Sequence, residues 1–165
     1  ISKPYIDNYE PSIFTTSNNL LNKVGLLNKA KGKEIILKGK ILDKNCKIIP
    51  NAYIALWQVG FDGKYHYIPL REKFDAGLVH ISYTDSFLGN GSTYSDNLGA
   101  FTFITVYPRA IQHLSAHVNI RVKHNVFGSL QTKIFLSKAQ RLEDKGDIPV
   151  YYFDIVMPVE NNLLH

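Results

Sequence analysis

The chain has 165 residues, enough for one domain with a sizeable core. Its 45% hydrophobic and 20% charged residues are ordinary for a globular protein, and its formal net charge is +5. The lysines are spread along the chain without a basic run interleaved with aromatics, so no nucleic-acid partner is predicted. No apolar stretch approaches the ~20 residues of a membrane-spanning helix, so no membrane span is expected.

The cellular compartment stays open at this point. Cys46 is the single cysteine, so the fold does not depend on an intramolecular disulfide. The chain begins with Ile1 rather than Met, which is compatible with removal of a leader or with trimming. Cytoplasmic and secreted or periplasmic locations are therefore both kept as expectations.

Two regions are predicted along the chain: an irregular N-terminal arm over residues 1–32 and one β domain over residues 33–165. Pro4 and Pro11 interrupt the arm. The leucine-rich stretch 20–27 is expected either to form a short helix or to pack along the β domain.

From residue 34 onward the pattern is typical of short β-strands. In 117–124, for example, apolar Val118, Ile120 and Val122 alternate with polar residues. Strands are predicted at 34–42, 52–58, 100–107, 117–124, 130–136 and 151–157. Short strands separated by turns predict an all-β, antiparallel β-sandwich. The long connection from Tyr67 to Tyr94 has weak periodicity and is expected to be functional or to cover a site.

Several motifs follow one another in order along residues 33–157. A strand over 39–43 leads into the run Pro50–Gln58, which ends in Trp57-Gln58, and then into the turn Gly63-Lys64-Tyr65. Further motifs lie at 87–91, 94–103, 105–108, 115–120 and 131–135. Together they resemble the intradiol ring-cleavage dioxygenases, the family of protocatechuate and catechol dioxygenases, and especially the protocatechuate dioxygenase beta chain and shorter-looped members.

This resemblance implies a β-sandwich of the intradiol dioxygenase type and an oxidoreductase of aromatic compound metabolism. It also implies a non-haem ferric iron (Fe³⁺) and a catechol-like small molecule as substrate. Some enzymes of the family pair two homologous chains, so a homo- or hetero-oligomer is expected by analogy.

The family holds its iron with two Tyr and two His, and the resemblance transfers these positions only in part. Tyr65 matches the first Tyr and His117 the first His. Ile111 stands where the displaceable Tyr is expected, Asn119 where the second His is expected, and Leu114 where an Arg stabilises the substrate-derived anion. Isoleucine has no donor atom, and an amide oxygen is a poor replacement for imidazole on Fe³⁺. Two of the four ligand positions are therefore replaced.

Two further histidines keep a metal site under consideration. His113 stands four residues before His117 and is a candidate substitute ligand, and His66 follows Tyr65. Either of them, together with Tyr65 and His117, is a candidate ligand set for Zn²⁺ or Fe²⁺. The alternative is that both are loop and rim histidines.

The leading interpretation is a homologue with an incomplete ferric site, non-catalytic or altered in activity, that acts as a binding or structural module. Its cofactor is either iron, as the family implies, or none, and no catalytic residue is assigned. The alternative is an active non-haem iron dioxygenase with an unusual ligand set.

Overall fold

A computed structural model describes residues 2–7, 9–22, 30–81 and 86–159, apart from the side chains of 143–145. These residues form eight strands, β1 (Glu34–Leu42), β2 (Tyr53–Trp57), β3 (Asn90–Tyr94), β4 (Ala100–Val106), β5 (His117–His124), β6 (Gly128–Phe135), β7 (Gln140–Lys145) and β8 (Ile148–Val156). Two short 3₁₀ turns, Ala76–Leu78 and Leu136–Lys138, are the helical elements of this part of the chain. None of its helices is long and apolar enough to cross a membrane.

The strands form two four-stranded sheets, in the orders β4-β1-β8-β7 and β3-β2-β5-β6. The predicted β-sandwich is therefore confirmed. The described strand pairs are antiparallel, as expected, with one exception: β1 and β8 run parallel. This parallel pair joins the first strand of the domain to the last. Such a long-range pairing is not encoded in the local alternation of residues.

Two strands were missed by the sequence prediction. β3 falls inside the stretch expected to be an irregular connection, because its residues Asn90, Gly91 and Ser92 lack the apolar alternation of a strand. It forms through antiparallel pairing with β2. β7, Gln140–Lys145, is equally polar and forms an edge of its sheet against β8.

The core lies between the two sheets and is filled by the apolar faces of their strands, including Ile35 and Leu37 of β1 and Ile120 of β5. Leu20 and Leu21 of the arm are buried in the same core. Packing is therefore the outcome for these two leucines, while 23–27, the rest of the stretch for which a short helix was the alternative, lie outside the described residues. The arm/domain boundary at 32/33 stays a prediction.

Gln58 joins the two sheets at the end of β2. Its side chain is fully buried, and its Nε2 donates to the carbonyl oxygens of Val106 (2.9 Å) and Val59 (3.0 Å). Its Oε1 accepts from the Thr105 hydroxyl at 2.7 Å. The polar groups of this buried amide are thus paired, and the residue next to Trp57 is held in one orientation.

Gly39, in the middle of β1, is required by close packing. A Cβ at this position would overlap the carbonyl oxygen of Phe153 and lie 2.8 Å from the ring of Phe101. We expect Gly39→Ala to lower the free energy of unfolding by about 1–3 kcal/mol, as overpacking of a filled core does. Urea denaturation measures this loss, and Lys38→Ala on the same strand is the control, with a change within about 0.5 kcal/mol. Equal stabilities of the two variants would contradict this account of Gly39.

Candidate functional site

The candidate site lies on the outer face of the β3-β2-β5-β6 sheet. Because side chains alternate along a strand, β5 directs His117, Asn119 and Arg121 away from the core that its apolar residues fill. Trp57 of β2 and Lys133 of β6 stand directly opposite Asn119 on the neighbouring strands. The site is therefore built around a cross-strand row of Trp57, Asn119 and Lys133.

The N-terminal arm crosses this face and covers it. The Tyr5 amide donates to the Gln131 carbonyl oxygen on β6 at 2.9 Å, and the Ser12 amide donates to the Ile68 carbonyl oxygen at 3.2 Å. Between these two anchors, the arm directs Asp7 toward the row on the sheet.

Asp7 makes the central contacts of the site. Its Oδ2 accepts a hydrogen bond of 2.6 Å from Nε1 of Trp57 and a longer one, 3.5 Å, from the Tyr65 hydroxyl. Its Oδ1 lies 3.9 Å from Nζ of Lys133. The Asp7 and Lys133 side chains are only 11% and 10% exposed, so this pair is largely removed from water.

Asn119 does point into the cluster, as the alternation of β5 predicts. Its Oδ1 accepts from Nζ of Lys133 at 2.7 Å, and its Nδ2 donates to the carbonyl oxygen of Trp57 at 3.2 Å. The amide oxygen at the position predicted for the second His thus binds an ammonium group. Burial lowers the pKa of Lys133, and the Asp7 carboxylate opposes that shift.

Tyr65 is buried beneath the arm. Its ring stacks on that of Tyr9, with centroids 4.7 Å apart and planes within 3°. Burial, and secondly the negative charge of Asp7, raise the pKa of the Tyr65 phenol far above its ordinary value. The phenol is therefore a neutral donor toward Asp7 and not a phenolate.

His117 is buried at the start of β5, near the same charges. Its Nδ1 lies 3.0 Å from the Ser115 carbonyl oxygen, a contact in which Nδ1–H donates. Burial lowers the pKa of His117; the Ser115 contact opposes this, while the nearby Lys133 ammonium lowers the pKa further. The imidazole is neutral, with its Nε2 as the nitrogen that carries a lone pair.

The other family positions lie at the edge of this cluster. Ile111 is partly buried and packs against the apolar group formed by Trp57, Val59 and Tyr65. The Leu114 side chain is exposed, and its amide donates to the Ile111 carbonyl oxygen at 2.8 Å. The structure thus packs an apolar side chain, without a donor atom, against the apolar group that includes Tyr65.

The two histidines considered as substitute ligands have different surroundings. His113 is exposed on a turn, with a left-handed backbone (φ 64°). His66 is buried, with its Nε2 3.0 Å from Oδ1 of Asp62. Across the described ranges, no group of three or more His, Cys, Asp or Glu side chains is placed to hold a metal ion. A role for either histidine as a metal ligand stays a prediction.

A second ion pair extends the site along the arm. Arg121 on β5 contacts Glu10 of the arm, with Nη2 2.5 Å from Oε2, and donates to Oε1 of Gln131 at 2.7 Å. Its guanidinium also lies over the Trp57 ring, 5.5 Å from the centroid. The outer face of this sheet therefore offers two cations to two carboxylates of the arm.

Sequence reasoning did not identify Asp7, Glu10, Arg121 and Lys133 as members of the site. A partial signal was present, because the alternation of β5 that places Asn119 outward also places Arg121 outward. The carboxylates that face Arg121 and Lys133 come from the arm, more than 100 residues away in sequence, and no local pattern links them to these cations.

Comparison with known proteins identifies relatives of which this chain covers different shares. A protein of Rickettsia felis named "Putative dioxygenase" is 36% identical over 169 residues, covering 95% of this chain and 81% of the relative. The protocatechuate 3,4-dioxygenase beta chain of Burkholderia cepacia is 29% identical over 105 residues, covering 59% of this chain and 42% of the relative. No family model matches the chain.

Solved structures agree on the fold. The intradiol ring-cleavage dioxygenase from Tetranychus urticae superimposes with a TM-score of 0.63 at 17% sequence identity, covering 97% of this chain and 94% of that structure. At this identity the likeness concerns the fold alone.

Proposed function

Because the chain belongs to the intradiol ring-cleavage dioxygenase family, we propose that it is a member with an incomplete ferric site that acts as a binding or structural module. The observation that carries the proposal is the contact between Asn119 and Lys133. At the position of the second His, the side chain that faces the cluster accepts a hydrogen bond from an ammonium group at 2.7 Å. A positive charge of the chain itself lies beside the proposed ligand positions.

Ferric iron is a poor fit to these residues. Ile111 contributes no donor atom, and the Asn119 oxygen is engaged by Lys133. The Lys133 ammonium would repel a trivalent cation brought to Tyr65 and His117, and this repulsion is stronger where water is excluded. The raised pKa of Tyr65 further opposes the phenolate that Fe³⁺ prefers.

One observation favours the alternative, an active dioxygenase with an unusual ligand set. Metal-ligating histidines commonly donate their second ring nitrogen to a carbonyl oxygen, which fixes the ring. His117 makes such a contact through Nδ1 to Ser115. Its Nε2, together with the Tyr65 hydroxyl and a bound catechol, is the ligand set that this alternative requires.

Metal content and oxygen consumption separate the two functions. We expect the purified protein, even after incubation with iron, to hold far less than one iron per chain. We also expect it to lack tyrosinate-to-iron absorption and to consume no oxygen with a panel of catechols. Elemental analysis, visible spectroscopy and an oxygen electrode make these measurements, with Tyr65→Phe as the matched variant. Stoichiometric iron with a visible band that Tyr65→Phe removes, together with catechol-dependent oxygen uptake, would establish the alternative.

A further inference from the structure

The arm sits on the sheet as a ligand sits in a binding site. Its two carboxylates, on Asp7 and Glu10, face two cations of the sheet, Lys133 and Arg121. The Glu10–Arg121 contact is a close ion pair, whereas Asp7 lies farther from Lys133 and is held mainly by the Trp57 indole at 2.6 Å. Hydrogen bonds to ionised groups are among the stronger ones in proteins.

An aromatic side chain lies between the two carboxylates in sequence. Tyr9 stacks face to face on Tyr65, and its backbone carbonyl oxygen accepts from the Tyr67 hydroxyl at 2.6 Å. The sheet and the following loop thus present an aromatic surface and a backbone-directed donor between the two cations. Trp, Tyr and Arg are the residues that most often dominate the energetics of peptide and protein recognition.

The cations need acidic partners because they are largely shielded from water. The side chains of Lys133 and Arg121 are 10% and 21% exposed. A cation withdrawn from water to this extent is costly unless a carboxylate compensates it. Lys133 is hydrogen-bonded to the neutral amide of Asn119, and Asp7 is the carboxylate that the structure places nearest to it. The face is therefore complementary to an acidic segment.

We propose that the outer face formed by Trp57, Tyr65, Arg121 and Lys133 is a recognition site for an acidic–aromatic peptide segment, which Asp7, Tyr9 and Glu10 of the chain occupy in cis. This inference rests on the proposed function as a binding module and names its ligand class. A partner peptide binds by displacing the arm, using one carboxylate at Trp57 and Lys133, an aromatic ring on Tyr65 and a second carboxylate at Arg121.

The arm competes strongly with any such partner because it is part of the same chain. The backbone bonds of Tyr5 and Ser12 hold its two ends against the domain. A tethered segment of this kind acts at an effective concentration on the order of millimolar. A peptide in solution therefore binds measurably only when the arm's own side chains are weakened.

The test uses the full-length chain with the substitutions Asp7→Asn, Tyr9→Ala and Glu10→Gln, which remove the arm's side-chain contacts. A synthetic peptide with the sequence of residues 2–12 is titrated into this variant. Trp57, the single tryptophan of the chain, reports binding through its fluorescence because its indole donates to Asp7. We expect saturable binding that weakens as salt is added.

The matched peptide carries Asn and Gln in place of the Asp and Glu, and we expect it to bind at least tenfold more weakly. Adding Arg121→Gln to the protein should lower its affinity for the acidic peptide to a similar degree, whereas Lys40→Gln on the other sheet should leave this affinity unchanged. Equal affinity for the two peptides, or no binding to a variant whose circular dichroism shows a folded sandwich, would overturn the inference.

If the triple variant does not fold, the double variant Asp7→Asn, Glu10→Gln serves as the recipient, because it removes both charges of the arm while its amide oxygens can still accept hydrogen bonds. The same peptides are then used at higher concentration, and the same two outcomes decide. The titration involves neither iron nor oxygen. Its failure therefore leaves the iron and oxygen measurements intact, and stoichiometric iron would overturn the proposed function without changing the peptide result.

Discussion

Lys133→Met is expected to lower the free energy of unfolding by about 3 kcal/mol, because it leaves the Asp7 carboxylate in a largely buried position without its cation. It also removes the donor that the Asn119 oxygen accepts at 2.7 Å. Urea denaturation followed by circular dichroism measures the loss. A change below about 0.5 kcal/mol would mean that the pair lies in contact with water and contributes little.

The matched experiment is a double-mutant cycle. Asp7→Asn keeps an oxygen that accepts from the Trp57 indole but removes the charge. In the double variant with Lys133→Met, no unpaired charge is left, so its loss should be smaller than the sum of the two single losses. Strict additivity would show that Asp7 and Lys133 do not interact. Lys38→Met on β1 is the control for replacing a lysine as such.

Trp57→Ala is expected to cost about 3–5 kcal/mol, the largest loss of any variant considered, because the side chain is fully buried. The substitution leaves a cavity beneath Phe14, whose ring lies 5.7 Å from that of Trp57, and removes the donor to Asp7. Since the chain then lacks tryptophan, unfolding is followed by circular dichroism.

Trp57→Phe separates the two parts of this effect. It keeps most of the apolar volume and loses the indole N–H, so a loss of about 2 kcal/mol is expected for a hydrogen bond to a charged acceptor. If Trp57→Phe lowered stability as much as Trp57→Ala, the lost volume would contribute nothing, and the cavity would not explain the cost of Trp57→Ala. If Trp57→Phe were neutral, the Asp7 contact would not stabilise the arm.

Lys133→Met and Trp57→Ala bear on function as well as stability, since both change side chains at the junction of the arm and the sheet. In the proposed function, Lys133 supplies beside Tyr65 and His117 a positive charge that belongs to the chain. An ammonium group offers no open coordination position to a substrate, whereas a metal ion does. A face built this way is suited to holding a carboxylate, which is the basis of the proposed peptide site.

Much of the fold could be predicted from the sequence. β5 was predicted with its full extent because Val118, Ile120 and Val122 alternate with polar residues, and the structure buries these three in the core. β3 could not be predicted in this way, since its residues Asn90–Tyr94 carry no apolar face and become a strand only through pairing with β2.

The candidate site, too, could be predicted only in part from the sequence. The resemblance to the intradiol dioxygenases, read from ordered motifs, indicated that Tyr65, Ile111, His117 and Asn119 belong to one site. The structure places Tyr65, His117 and Asn119 around the same pair of charges and packs Ile111 against the apolar group that includes Tyr65. Their role as ligand positions remains a prediction that the iron measurement tests.

By itself, then, the sequence determined the β-sandwich and the family resemblance, because these follow from residue type and local order. It also predicted that Ile111 and Asn119 stand at two of the family's ligand positions. Only the tertiary structure decided what lies beside the predicted ligand positions. Asp7 reaches Trp57 across 50 residues, and Lys133 meets Asn119 through strand register. Such contacts depend on how the arm and strands pack, and one chain's local pattern carries no record of that packing.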